Sequence, residues 1–110
     1  MFRCILGVAL IALSAFSFSG TTKKSTIKIV LYNGTADYLW FVSDTGWNVT
    51  DGDGNILCTP YYVQITSSVA GRDKIMSMGL AAKMTKSEVD FIGECATDPS
   101  YFNAYYIRVY

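Results

Sequence analysis

The sequence predicts a mostly-β domain with a single helix, in the order strand-strand-strand-helix-strand-strand. Three observations carry the prediction. Residues alternate apolar and polar with period two around 26–32 and 104–110, as half-buried strands do. A run of good helix formers, Lys74 to Met84, sits between the third and fourth strand candidates. Two cysteines, Cys58 and Cys95, bracket the middle of the chain and suggest a covalent staple.

In order, the first strand places Ile27, Ile29 and Leu31 against Lys28, Val30 and Tyr32. Asn33-Gly34 then signals a hairpin, because the favoured tight turn needs positive φ at both central residues. Tyr38 to Val42 returns as the second strand. Ser43 to Asn55 is a polar loop carrying Gly46, Gly52, Gly54 and the lone Trp47. Cys58-Thr59-Pro60 leads into a third strand, Tyr61 to Ile65, where proline suits an entrance because its missing N–H is not needed. Asp73 is the expected helix N-cap. On the helix, Met76, Leu80 and Met84 share one face, and Ile75, Gly79 and Ala82 the adjoining one. Gly79, Ala81 and Ala82 make one side thin, suited to close packing on a sheet or to a partner helix. Val89 to Cys95 and Ala104 to Tyr110 complete the strands, with a turn at Asp98-Pro99-Ser100.

The N-terminus reads as an export signal over residues 1–19. Met1-Phe2-Arg3 is a short positive start, Cys4 to Phe16 is apolar and uncharged, and Ser17-Phe18-Ser19-Gly20 supplies small residues for cleavage. The apolar run falls short of the roughly 20 residues a bilayer-crossing helix requires. Residues 20–25 read as a loose leader and 26–110 as one domain, secreted or periplasmic, with no membrane insertion after cleavage. In such a domain Cys58 and Cys95 are expected to pair. Closing a loop of about 38 residues would stabilise the fold by roughly 4 kcal/mol on the chain-entropy view.

Composition narrows function. The chain has 9 basic and 9 acidic side chains and no histidine. With no basic run, nucleic acid and anionic lipid are poor partners. Lacking histidine, the chain lacks the commonest general base and metal ligand, so no enzyme activity, cofactor or metal is expected. Asp51-Gly52-Asp53-Gly54-Asn55 starts like a calcium loop, but Ile56 and Tyr62 stand where glycine and glutamate belong, which leaves a surface turn. Glu88, Asp90 and Glu94 cluster in sequence, with Asp90 expected as a solvated group on the outer face.

The element order is that of the five-stranded Greek-key barrel known as the OB-fold. Within it, Lys83-Met84-Thr85-Lys86-Ser87-Glu88-Val89, followed by a strand closing at Cys95 and a turn at Pro99, resembles the receptor-binding B subunits of pentameric bacterial enterotoxins. There a Thr-Glu-x-Lys-Val segment likewise leads to the second disulfide cysteine. The chain is also similar to small exported proteins of marine gamma-proteobacteria. The resemblance implies a closed barrel and, by analogy, an oligomeric ring. It does not carry over the toxins' sugar site, because Ala96-Thr97-Asp98-Pro99 lacks their Trp-Asn-Asn-Lys run.

The functional expectation is an exported, non-enzymatic binding module for a glycan or protein ligand. Loop aromatics beside amide and carboxylate groups suit sugars, whose apolar faces stack while hydroxyls are bonded. The candidate residues are Trp47, Asn48, Asp51 and Asp53 in one loop, and Tyr101 and Asn103 near another. Trp47 has a second reading, folded back as core over the open end of the barrel. The competing functional class is a structural or assembly subunit that self-associates through its helix face and edge strands.

Overall fold

The structure is a computed structural model that describes residues 19–110. All but the last residue of the export signal expected over 1–19 lies outside the described residues. Among the described residues, eight strands and one helix follow in order: β1 (Ser19–Thr22), β2 (Ile27–Asn33), β3 (Tyr38–Ser43), β4 (Val49–Thr50), β5 (Ile56–Cys58), β6 (Tyr62–Ile65), α1 (Arg72–Thr85), β7 (Val89–Cys95) and β8 (Tyr101–Val109). The mostly-β class with one helix stands. So does the Cys58–Cys95 bridge, whose Cα atoms lie 6.3 Å apart.

The five-stranded closed barrel does not. One eight-stranded sheet runs β2-β3-β6-β8-β7-β1-β4-β5 and is not closed by hydrogen bonds. The cause is local. Segments 44–48 and 59–61 interrupt strand geometry and split what would be long strands into β3 with β4 and β5 with β6. At the second break Pro60 offers no N–H to a ladder. Residues 20–25, expected to be a loose leader, belong largely to the sheet. Gly20 pairs with Gly93 of β7, and Thr21 with both Ile92 and Thr50. The buried Thr22 hydroxyl accepts the Phe91 N–H at 2.9 Å. Ser25 exchanges two backbone hydrogen bonds with Val89, at 3.0 and 2.9 Å.

The first hairpin forms at the expected place with a different turn. Gly34–Asp37 make a four-residue loop, since Asn33 pairs with Tyr38. Asn33 Oδ1 accepts the N–H groups of Thr35 and Ala36, and the positive φ falls on Asp37 (59°). Aspartate tolerates that region better than most residues. The helix cap lies two residues before the expected one. Gly71 is the N-cap, without a side-chain cap bond, and Asp73 sits in the first turn, where a negative charge suits the helix dipole.

Ile75, Gly79 and Ala82 form the buried face of α1, and α1 lies against β2 and β8. Gly79 seats the Phe41 ring so closely that any side chain there would strike it. Gly79 and Ala82 of the thin side therefore pack on the sheet, whereas Ala81 is exposed. Met84, by contrast, is exposed. The core gathers Trp47, Phe41, Phe91, Phe102, Leu39, Ile65, Val49, Val63 and Val89, with Phe41 and Trp47 both against Phe91 at ring distances of 5.1 and 5.2 Å.

Candidate functional site: an aromatic face on three strands

Strand parity builds the site. In β3, Leu39 and Phe41 point into the core, so Tyr38 and Trp40 face out. In β6, Val63 and Ile65 point in, leaving Tyr62 and Gln64 outside. In β8, Phe102 and Ala104 point in, leaving Tyr101 and Asn103 outside. The sheet order makes these three strands neighbours, β6 pairing antiparallel to β3 and parallel to β8.

Register then aligns the outward residues in rows. Trp40 lies opposite Gln64, Gln64 opposite Asn103, and Asn103 opposite Glu94 of β7. At the other side of Trp40, Leu31 of β2 extends the row. The next row aligns Val42, Tyr62 and Tyr101. Tyr62 and Tyr101 stack at 5.4 Å with an 18° tilt, and the Trp40 ring lies 5.6 Å from Tyr62 and 6.1 Å from Tyr101. Tyr61 meets Tyr62 edge-on at 4.7 Å, and Tyr38 meets Trp40 at 6.4 Å. A groove of about 270 Å³ between Val42, Pro60 and Tyr61 adjoins the Tyr61 end, with Lys28 and Asp44 also on its walls.

A polar relay crosses this aromatic surface. Trp40 Nε1 donates to Gln64 Oε1 at 2.7 Å, and Gln64 Nε2 donates to Asn103 Oδ1 at 3.0 Å. Its direction follows from chemistry, because an indole N–H can only donate. Gln64 must therefore turn its oxygen to Trp40 and its amide nitrogen to Asn103. The Asn103 NH₂ is left at the end of the relay, beside Glu94. Glu94 is half-buried, and the Tyr105 hydroxyl lies 3.4 Å from its Oε2. Burial first, then the Glu94 charge, pushes the Tyr105 phenol above its usual range.

The end of the face near Tyr61 is held from behind. Tyr61 and Tyr62 both donate their backbone N–H to the Ser100 carbonyl, at 3.0 and 2.9 Å. The Cys58–Cys95 bridge ties the chain just before this contact to the end of β7.

The loop-centred site expected from sequence separates into parts. Trp47 is 1 % exposed and donates its indole N–H to the Phe41 carbonyl at 2.9 Å, so it is core and offers no face to a ligand. Asn48 and Asp53 are exposed loop residues. Asp51 serves its own turn. Oδ1 accepts the N–H groups of Asp53 and Asn55, and the Asn55 side chain donates to Oδ2 at 3.1 Å. The Asn55 amide, with these backbone donors, holds the Asp51 carboxyl below the usual range. Tyr101 and Asn103 lie not in a loop but two residues apart on the outward face of β8. The sequence places Trp40, Tyr62 and Gln64 in strands without marking them as site residues, and the signal for the face is their outward parity in aromatic-rich strands.

The carboxylates also fall differently from expectation. Asp90 is 4 % exposed rather than solvated, and it receives Arg108 in a fork at 2.8 and 2.9 Å and the Tyr110 hydroxyl at 2.9 Å. Burial of a carboxylate demands such partners. Among the described residues, no three histidine, cysteine or carboxylate side chains gather as a metal site would need, and no helix is long and apolar enough to cross a membrane. No family profile, no curated protein and no solved structure matches the chain significantly.

Proposed function

We propose that the chain is an exported, non-enzymatic carbohydrate-binding module, and that its binding surface is the Trp40–Tyr62–Tyr101 face with Gln64 and Asn103. The observation that carries the reading is the coincidence of three adjoining aromatic rings with an amide relay ending in the Asn103 donor group. Pyranose rings present flat apolar faces edged by hydroxyls, and such a surface answers both halves of that chemistry. Three neighbouring strands at about 4.8 Å spacing give the face the width of a short oligosaccharide. Export is supported by the disulfide, a bond that persists in oxidising compartments.

Titration calorimetry with a panel of oligosaccharides tests the reading. Trp40→Ala is expected to weaken binding about tenfold or more, as loss of one good stacking contact does, while the melting curve keeps its cooperative shape. Equal affinity in wild type and Trp40→Ala would exclude this face.

A second reading, an assembly subunit, is favoured by β2. It stands at an end of the sheet, bonded to β3 alone among the described strands, and exposes Ile29, Leu31 and Tyr32. Light scattering across a hundredfold concentration range separates the two. A constant monomer mass removes the assembly reading.

A further inference from the structure

We propose that the Asn103–Glu94 end of the face selects uncharged sugars: Asn103 donates to one sugar oxygen, Glu94 accepts from a neighbouring hydroxyl, and the Glu94 charge turns acidic glycans away. This rests on the carbohydrate reading above and names the substrate class within it.

Three observations support the inference. The relay leaves the Asn103 NH₂ without a protein acceptor among the described hydrogen bonds. Glu94 lies directly opposite Asn103 on the same face, which places the two groups side by side on adjoining strands. A donor beside an acceptor at this spacing matches two adjacent hydroxyls of a sugar ring, where one oxygen accepts and the next O–H donates. The third is the absence of a counter-charge. Glu94 belongs to neither of the two ion pairs among the described residues, Arg72–Asp37 and Arg108–Asp90.

Its cross-strand neighbours are Asn103 on β8 and Ser19 on β1, neither of them basic. At the far end of the face, Lys28 shares its groove with Asp44, so charges of both signs stand there. A carboxylate or sulfate docked on the relay would therefore meet a like charge, and like-charge juxtaposition at an interface is strongly unfavourable. A neutral ring would meet none.

The test compares neutral hexamers of glucose, galactose, mannose and N-acetylglucosamine with hexamers of glucuronic and galacturonic acid, by calorimetry at low and high salt. Wild type is expected to bind at least one neutral hexamer, and to bind the acidic ones about tenfold or more weakly at low salt, with the gap narrowing as salt rises. Glu94→Gln keeps an acceptor but loses the charge. It should narrow the gap between acidic and neutral hexamers at low salt by about tenfold, whatever neutral binding itself loses with the charged acceptor. If wild type binds acidic and neutral hexamers alike, or if Glu94→Gln leaves the gap intact, charge selection is overturned and the carbohydrate reading survives. If no hexamer of either kind binds, the carbohydrate reading falls and takes this inference with it.

Discussion

Two tryptophans show how position decides a residue's work. Trp47 is enclosed against Phe91, with its N–H spent on the Phe41 carbonyl. Trp40 is half-buried, with its N–H spent on Gln64 and its ring among tyrosines. Trp47→Ala should therefore cost about 3–5 kcal/mol of stability, the usual range for emptying a large aromatic site in a core; chemical denaturation measures it. An unchanged midpoint would mean the ring does not fill the core.

Asp37 sets a residue-scale pH response. It accepts the Tyr32 hydroxyl at 2.6 Å and pairs with Arg72 at 2.8 Å, and these partners, Tyr32 first, hold its carboxyl below the usual range. Asp51 is lowered as well, by Asn55. A lowered folded pKa contributes stability that is complete above the unfolded value near 3.9 and is lost as pH falls through the folded value. Melting temperature should thus decline below about pH 4, and less steeply in Asp37→Asn. The same hydrogen bond raises the Tyr32 phenol, so its contribution holds below the ordinary phenol value near 10 and fades as pH climbs past the raised one.

At the scale of elements, legibility tracked side-chain pattern. β2, β3, β7 and β8 announced themselves by alternation or hairpin chemistry, and α1 by composition. β1 did not, because Ser19-Gly20-Thr21-Thr22 has no apolar alternation and owes its place to its neighbours. Its Gly20 shows the dependence, since an added Cβ would come within 2.6 Å of Val49 Cγ1 and 2.8 Å of the Thr50 carbonyl oxygen. The proposed binding face was half legible for a related reason. Parity along one strand shows which residues point outward, but not that β6 will lie parallel to β8 and bring Gln64 beside Asn103, 39 residues away. The disulfide was readable from cysteine count and export context. Replacing both cysteines by serine should lower stability by roughly 4 kcal/mol and loosen the Tyr61–Tyr62–Ser100 contact behind the aromatic face. A guanidinium melt of the double variant reads the first effect, and weaker sugar binding the second.

For the whole molecule, the open sheet has two contrasting faces. Inward residues bury a small aromatic core under one helix, and outward residues of β3, β6 and β8 carry a second aromatic set that the core does not require. That division underlies the proposed role. It is tested most directly by the two indole N–H signals in an ¹⁵N-edited NMR titration with the neutral hexamers. The Trp40 signal is expected to shift and saturate while the Trp47 signal stays in place. A shift of Trp47 alone, or of neither at saturating sugar, would contradict binding on this face.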